Sequence, residues 1–473
     1  MRNNFKNIEV KKIGSHKNAP RLWLEGSRPE QGGFTPGSRY HLRKDEAKKM
    51  VVLELATDGL RHVSSKETKG RRTPVIDLNS YEALSIFEGM ETVRVIVSTG
   101  RIFILPIATE LRRRERTECL SSVVQAGQPI LIGSVSHGAG VLSHAIHKGL
   151  SEAGIASKMA FAIDIDADAL EHARHVNSVW QESPEAITVA APLQEIVFDE
   201  WAMERLPRVH VLEAGLPCTA ASLAGRAKKH LAKPEDDPDV GHLMAAFISL
   251  IARVNPTVVC LENVTAYQDT ASMSIYRTFM RDLGYDIHEH VLSGEEFGVL
   301  ENRKRMVAIA VTRGMSFDFA SMLEVVKADP LTVGHILDEI PDDDPSWSTM
   351  QYLKDKEVRD REAGKGFRMH TVSRHSTSVP TITRGYMKRR STDPFLQHDR
   401  NPELLRLFTP AEHARIKGIP ESFVDSLSAT AAHELLGQSI LMRPFVAAGR
   451  AIGNAIRQFC SKEQGAEEFR LAA

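Results

Sequence analysis

The stretch Leu212-Glu213-Ala214-Gly215-Leu216-Pro217-Cys218-Thr219-Ala220-Ala221-Ser222 joins an apolar run to a turn of small residues. The residues from Val209 to Leu212 predict a buried strand, which Gly215 and Pro217 would end. Cys218 would then lie at the carboxyl end of a strand, the edge where open α/β sheets bind their ligands. A cysteine in such a turn is more often a buried structural residue. The rest of the chain therefore has to decide what Cys218 does.

The composition is that of a soluble globular protein with two or three domains. The chain has 473 residues, of which 42% are hydrophobic and 26% charged. A net charge of −1 gives no strongly basic coat, although a local basic groove remains compatible with it. Four scattered cysteines predict neither a disulfide framework nor a metal site. Because no signal-peptide core or membrane-spanning run is found, we expect a cytoplasmic, nucleoid-associated protein.

Residues 1–120 predict a separate, β-rich accessory domain with a possible DNA contact. Short apolar runs alternate with Gly and Pro turns there. The segments 21–26, 33–37 and 100–104 weakly resemble the swapped-hairpin barrels of the AbrB/SymE type, many of which bind DNA. An insertion at 58–80 would interrupt that barrel, and an accessory domain without a known ligand is an equal alternative. The charged run 112–117 predicts a linker to the next domain.

From residue 121 the pattern changes to alternating strands and helices. This alternation predicts an α/β domain with a mainly parallel sheet covered on both faces. The first part would end at 314, and residues 379–473 would complete the domain. Between them, 315–378 is polar and interrupts the alternation, which predicts a small variable lobe.

Four features fall at the carboxyl ends of successive predicted strands, where they would line one crevice. The Gly138–Gly140 turn would let the backbone approach a ligand closely. Asp164, after the next strand, suits ribose hydroxyls, so a nucleoside-type cofactor is predicted. Cys218 and Glu262 follow the other two strands. Taken singly, the glycine turn could be an ordinary tight turn and Asp164 a helix cap.

The order of these motifs resembles the cytosine-5 DNA methyltransferases over residues 128–460, as a divergent bacterial or phage-type member. Five segments after Cys218 follow the family's order of motifs. They are Glu262-Asn263-Val264, Phe297-Gly298-Val299 before Arg303 and Arg305, Arg406 to Glu412, Arg415 to Pro420, and Gly437-Gln438-Ser439.

The resemblance implies a Rossmann-like fold, S-adenosylmethionine as cofactor, double-stranded DNA as partner, and methylation of a flipped cytosine through a covalent Cys218 adduct. Glu262 would act as the acid near ring nitrogen 3, and Arg303 and Arg305 would stabilise the base and its phosphate. The residues implied at the substrate are Pro217, Ser222 and Asn263. Those implied at the cofactor are Gly138, Gly140, Asp164, Ile165 and Ser439.

Several positions depart from the family pattern and put cofactor affinity in question more than the nucleophile. Ser136-His137 replaces an aromatic residue before the glycines, Val141 a glycine, and Glu301 a glutamine, while the third-strand Asp is missing near Leu193-Gln194. Two alternatives stay open: an RNA (tRNA) cytosine-5 methyltransferase of the same fold, and a DNA-binding regulator with a degenerate fold. Retention of both Cys218 and Glu262 argues against the regulator.

Overall fold

The computed structural model describes residues 5–17, 19–68, 70–218, 221, 229–323, 331–390 and 392–472. The chain divides into two compact units, Met1–Glu115 and Arg116–Ala473, shortly before the predicted boundary at 120. Among the described residues, no helix combines the length and the apolarity needed to cross a membrane.

The charged run 112–117, predicted as a linker, contains the division between the two units and lies within one helix, Ala108–Gln125. Arg116 is buried: its guanidinium donates to Thr312 Oγ1 at 2.8 Å and to the Gly284 carbonyl at 2.6 Å, and it lies 3.9 Å from the centre of the Tyr285 ring. A buried guanidinium is stable when its donors are satisfied in this way.

The amino-terminal unit is built from two antiparallel sheets around one apolar core. Its short helices are Ser27–Gln31 and Tyr81–Leu84. The strands of the six-stranded sheet are, in spatial order, Phe5–Lys12, Thr92–Ser98, Arg101–Pro106, Met50–Leu55, Arg39–Asp45 and Arg61–His62; those of the four-stranded sheet are Gly14–His16, Ala19–Glu25, Arg71–Leu78 and Ser64–Thr68.

This unit contains an internal repeat. Each half consists of a strand, a short helix and a β-hairpin, in that order. The two halves are joined by two antiparallel strand pairs: Ala19–Glu25 pairs with Arg71–Leu78, and Met50–Leu55 pairs with Arg101–Pro106. The segment 58–80, predicted as an insertion, contains strands of both sheets, among them Arg71–Leu78 at the centre of the four-stranded sheet.

The second unit is organised around a seven-stranded sheet. Its strands are, in spatial order, Ile187–Ala190, Ser157–Asp164, Ile130–Val135, Val211–Gly215, Val258–Asn263, Lys304–Thr312 and Tyr285–Ser293. The first five strands are parallel, and Lys304–Thr312 is antiparallel to both of its neighbours. The predicted Rossmann-like α/β fold with a mainly parallel sheet is confirmed.

Helices cover both faces of this sheet, which explains why a strand such as Val258–Asn263 is buried along its whole length. Val141–Glu152 and Met442–Ala472 pack on one face, and Leu243–Val254 and Ala271–Asp282 on the other. The remaining helices of this unit in the described ranges are Ala167–Val176, Ser178–Gln181, Leu193–Phe198, Glu200–Arg205, Ala320–Leu323, Gln351–Glu362, Pro410–Lys417 and Ala429–Gln438.

The strand Ile187–Ala190 had no counterpart in the sequence prediction. It has four residues, lies at the edge of the sheet and is not fully buried, so it lacks the continuous apolar run of the central strands. Leu193 and Gln194, where the family's third-strand Asp was sought, begin a helix beyond this strand.

A separate apolar core holds the lobe that follows the sheet. It includes Val333, Val372, Val379, Ile382 and Phe408. The predicted boundary at 378 therefore falls inside this core, because Val379, Ile382 and Phe408 lie beyond residue 378 and belong to the core of the lobe. The short strands associated with the lobe are Glu301–Asn302, His370–Val372, Val379–Pro380, Pro394–Gln397 and Leu405–Arg406.

Candidate active site

The Leu216-Pro217-Cys218 segment leaves the sheet directly after Gly215 and is held by the neighbouring strand. Asn263, 1% exposed, donates its side-chain amide to the Leu216 carbonyl at 3.1 Å. Its side-chain oxygen accepts from the Val264 backbone at 2.8 Å, which fixes the orientation of the amide. Asn263 thus joins the ends of two adjacent parallel strands. Thr219 and Ser222, which the sequence also assigned to this loop, lie outside the described residues.

Glu262 is buried beside this segment, opposite Gly215 in the strand register. Its Oε1 lies 3.0 Å from Arg305 Nε. Burial raises the pKa of the Glu262 carboxyl, and the positive charges of Arg305 and Arg303 oppose the rise. Burial thus favours the protonated carboxyl and the arginines favour the carboxylate, so a change in nearby charge shifts the balance between the two forms.

The Cys218 thiol is half-buried among the same groups. Burial, and after it the charge of Glu262, raises the pKa of Cys218, while Arg305 and Arg303 act in the opposite direction. The resting thiol is therefore mostly protonated at neutral pH. Formation of the thiolate, the nucleophilic form of cysteine, must accompany a change at the site such as substrate binding.

Arg303 is 4% exposed and incompletely hydrogen-bonded. One terminal nitrogen donates to the Gly437 carbonyl at 3.3 Å, and the other lies 3.6 Å from Glu301 Oε1. Within the described parts of the chain, Arg303 Nε has no hydrogen-bond partner. A buried donor without an acceptor is costly, so this atom is a good candidate for a ligand contact.

The glycine turn lies at the carboxyl end of Ile130–Val135 and is tied to the adjacent strand. The Gly138 backbone donates to Asp164 Oδ2 at 2.7 Å. Ser136, Gly138 and Gly140 all have positive φ, at 55°, 53° and 75°. A Cβ at Gly138 would have no atom within 4 Å, so the turn presents open space on that side.

Ile165 follows Asp164 with 74% of its surface exposed, so an apolar side chain stands free beside the turn. Ser439 lies on another element, at the end of the Ala429–Gln438 helix, and its hydroxyl donates to the Leu435 carbonyl at 2.8 Å. Its neighbour Ile440 belongs to the same apolar cluster as Ala139 of the turn.

Sequence reasoning missed a buried polar network behind this turn. His137 accepts from the Trp180 indole at 3.1 Å, and its other ring nitrogen lies 2.8 Å from Ser134 Oγ. Ser134 and Ser143 hydrogen-bond the Glu213 carboxyl, which is 1% exposed. Burial lowers the pKa of His137 to about 3 and raises that of Glu213 to about 7. A glutamate within an otherwise apolar strand was the signal that could have revealed this network.

In the described parts of the chain, no group of three or more His, Cys, Asp or Glu side chains is arranged to hold a metal ion. The structure brings Cys218, Glu262, Arg303 and Arg305 together, with Asn263 holding the loop. The arrangement offers a nucleophile, a protonatable acid and two cations, which suits addition to an electron-poor ring that gains negative charge.

Comparison with known proteins identifies relatives of the second unit. A family model described as C-5 cytosine-specific DNA methylase matches residues 139–456. Type II methyltransferase M1.ScrFI of Lactococcus lactis subsp. cremoris is 27% identical over 244 residues, which span 50% of this chain and 60% of that enzyme. Type II methyltransferase M.NlaX of Neisseria lactamica is 29% identical over 244 residues, spanning 50% of this chain and 73% of that enzyme. The matched region is thus less than two-thirds of the Lactococcus protein.

Solved structures share the fold. The Dnmt2 methyltransferase of S. pombe superposes with a TM-score of 0.55 at 19% identity, covering 70% of this chain and 99% of that one. The Entamoeba histolytica methyltransferase EhMeth superposes with a TM-score of 0.54 at 15% identity, covering 69% and 98%. Identities this low establish the fold alone.

Proposed function

The chain belongs to the C-5 cytosine-specific DNA methylase family, and we propose that it transfers a methyl group from S-adenosylmethionine to carbon 5 of cytosine in duplex DNA. The observation that carries the proposal is the meeting of Cys218 with Glu262, Arg303 and Arg305 at adjoining strand ends. The target base has to leave the helix to reach a thiol in this crevice, as base-modifying enzymes require.

Cys218 would act as nucleophile. Its thiolate adds to carbon 6 of cytosine, and the ring electrons move toward carbon 5 and nitrogen 3 while Glu262 delivers a proton to nitrogen 3. Carbon 5 would then take the methyl group and lose its proton to a base. The carbon 6–sulfur bond would break to release the thiolate, and nitrogen 3 would return its proton to Glu262. Burial of Glu262 supports this role, because it raises the pKa of the carboxyl and so favours its protonated form.

The two arginines would have different tasks. Arg305 already contacts Glu262 at 3.0 Å and would hold that carboxyl toward the base. Arg303 has an unpartnered, buried Nε among the described residues, which suits an acceptor oxygen of the flipped base or its phosphate. The positive charge of both supports formation of the Cys218 thiolate.

The residues at the glycine turn fit an adenosine-type methyl donor. The open space at Gly138 leaves room for close approach, Asp164 is available to ribose hydroxyls, and exposed Ile165 offers an apolar surface to adenine. Gly140 would keep the turn narrow, and Ser439 would complete the site from the last motif. S-adenosylmethionine, when bound there, supplies an electrophilic methyl group.

The acceptor is proposed to be a cytosine-containing duplex site, which would associate the protein with the nucleoid. The variable lobe predicted at 315–378 would recognise the target sequence, together with the core that extends to Phe408. Pro217, Ser222 and Asn263 would shape the loop that meets the base. The amino-terminal unit would add DNA contacts outside the recognition site.

Bisulfite sequencing of DNA from cells expressing the protein tests the proposal and gives the recognition site. We expect cytosines in one sequence context to become resistant to conversion, and Cys218→Ser to abolish the resistance. Purified protein with labelled S-adenosylmethionine should label duplex DNA and leave tRNA unlabelled. Labelling of tRNA alone would favour the RNA enzyme, and labelling of neither would contradict the proposal.

A further inference from the structure

A fully buried ion pair lies immediately behind the proposed site. Glu301 and Lys417 are both 0% exposed, and Glu301 Oε2 lies 2.6 Å from Lys417 Nζ. Glu301 Oε1 accepts from the Ile382 backbone at 3.1 Å. The pair therefore joins three segments: the strand end before Arg303, the lobe, and the helix Pro410–Lys417. Its glutamate is the residue that replaces the family's glutamine.

The same carboxylate faces Arg303 without binding it fully. Glu301 Oε1 lies 3.6 Å from an Arg303 terminal nitrogen, longer than a hydrogen bond, and Arg303 donates instead to the Gly437 carbonyl. Arg303 Nε stays without an acceptor in the described parts of the chain. Both oxygens of Glu301 are already engaged, one by Lys417 and one by Ile382.

The charges explain why the pair has this form. A carboxylate and a guanidinium in a buried site attract each other strongly and favour a bidentate contact with two parallel hydrogen bonds. Lys417 competes for the carboxylate, and the repulsion between Lys417 and Arg303 keeps the two cations apart. Burial and the Arg303 charge lower the pKa of Lys417, in keeping with a cation crowded by a second cation.

We propose that Glu301 and Lys417 form a positioning pair that holds the Arg303 guanidinium in the crevice and leaves its Nε for the substrate. This inference rests on the proposed function, since it assigns Arg303 to the reacting base. Glu301 sets where the guanidinium lies, and Lys417 prevents Glu301 from binding it completely. A glutamate in place of the usual glutamine is tolerated because a buried lysine accompanies it.

The test compares Lys417→Met with the double variant Glu301→Gln/Lys417→Met. In the single variant Glu301 is freed and should capture Arg303, so kcat should fall about 10-fold or more while KM for S-adenosylmethionine stays unchanged. The double variant removes both charges, retains an acceptor for Ile382, and should recover kcat to within a few-fold of the wild type. Lys417→Leu, which also removes the donor to Glu301, provides a second single variant with the same expected loss of kcat should the methionine variant fold poorly.

Rates are expressed per competent site, counted by covalent trapping on duplex DNA containing 5-fluorocytosine. Glu412→Gln is the matched control, because it breaks another buried pair on the same helix, Arg406 with Glu412 at 2.6 Å. It should lower the melting temperature and leave the rate per trapped site unchanged. Equal losses of per-site kcat in Glu412→Gln and Lys417→Met would overturn the proposal, as would a double variant no better than the single.

A crystal structure of the Lys417→Met protein separates this inference from the proposed function. We expect both Glu301 oxygens within hydrogen-bond distance of the Arg303 guanidinium, whether or not the protein methylates DNA. An Arg303 that keeps its contact with Gly437 and its distance from Glu301 would refute the positioning role. A wild-type protein that neither methylates nor is trapped would refute the proposed function instead.

Discussion

At the scale of single residues, the site is a balance between burial and charge. Cys218 and Glu262 are both disfavoured in their ionised forms by burial, and Arg303 and Arg305 act against that. The two reactive groups need opposite states, a thiolate and a protonated carboxyl. The arginines favour the ionised form of both groups, and Arg305 lies 3.0 Å from the Glu262 carboxylate.

This balance predicts a pH dependence. The raised pKa of Cys218 means that methyl transfer should still increase as pH rises above 7, until deprotonation of Glu262 limits it. Arg305→Gln removes the cation 3.0 Å from Glu262 and should move the ascending limb to higher pH. The pH profile of kcat/KM for both proteins measures this; an ascending limb that does not move would show that Arg305 has no part in ionising Cys218.

Glu213 gives a second residue-scale prediction, on stability. Burial raises the pKa of Glu213 from 4.5 to about 7 in the folded state. The stabilisation that the protonated carboxyl gives to the fold is therefore fully present below pH 4.5 and is lost as pH rises to about 7. Glu213→Gln cannot ionise, and should gain ~2–3 kcal/mol of unfolding free energy over the wild type between pH 5 and pH 8.

Urea unfolding of both proteins at the two pH values measures this difference. Titration of His137 is common to wild type and variant and cancels, whereas Glu262 and Cys260, which face Glu213 from the neighbouring strand, could ionise differently in the variant. If the wild type and Glu213→Gln differ in unfolding free energy by the same amount at both pH values, Glu213 is already ionised at pH 5.

At the scale of elements, the parallel strand order brings the site together. The strands ending at Val135, Asp164, Gly215 and Asn263 are neighbours in the sheet, so residues up to about 130 positions apart in the chain meet at one edge. The turn after the first of these strands is the least ordinary element, with three positive φ angles within five residues. The His137 network lies directly beneath it.

Gly140→Ala tests that turn. A Cβ there would lie 2.5 Å from His137 Nε2 and would also suffer the positive φ of 75°. We expect a loss of ~2–4 kcal/mol in unfolding free energy, from backbone strain plus the clash, and weaker binding of S-adenosylmethionine by calorimetry. Gly127→Ala is the matched control, since its φ is 64° and no atom lies within 4 Å of the added methyl group. Equal losses in the two variants would show that the His137 contact is unimportant.

At the scale of the whole molecule, two units with different cores share one chain. The helix Ala108–Gln125 passes through the boundary, and its second half belongs energetically to the sheet unit. Leu120 is buried in the core of that unit, and Arg116 hydrogen-bonds its loops. A useful truncation therefore has to keep this helix.

Removal of residues 1–107 should give a cooperatively folding protein whose per-site kcat is that of the full chain. If the amino-terminal unit contacts DNA as proposed, the affinity for DNA should fall and its dependence on salt should become less steep. Removal of 1–125 should destabilise the protein strongly, because it also deletes Arg116 and Leu120. DNA affinities measured at several salt concentrations test the first deletion, and thermal melts test the stability of both deletions. If the protein without residues 1–107 keeps the DNA affinity and the salt dependence of the full chain, the amino-terminal unit has another role.

The sequence by itself determined the elements and motifs whose cause is local. A strand such as Ile130–Val135 coincides with a short apolar run bounded by turn residues, which is the pattern that predicts a buried strand. The succession of Cys218, Glu262 and the arginines was readable for the same reason, since each motif lies in a short segment.

Only the tertiary structure decided which polar residues are buried and with what partner. Arg116, Glu213 and the Glu301–Lys417 pair are charged residues that composition and pattern assign to the surface or leave unexplained. Their partners lie on distant segments: Lys417 is 116 positions from Glu301 in the chain. Burial of a charge is favourable only when those partners are in place, so it is a property of the assembled fold and not of any stretch of sequence.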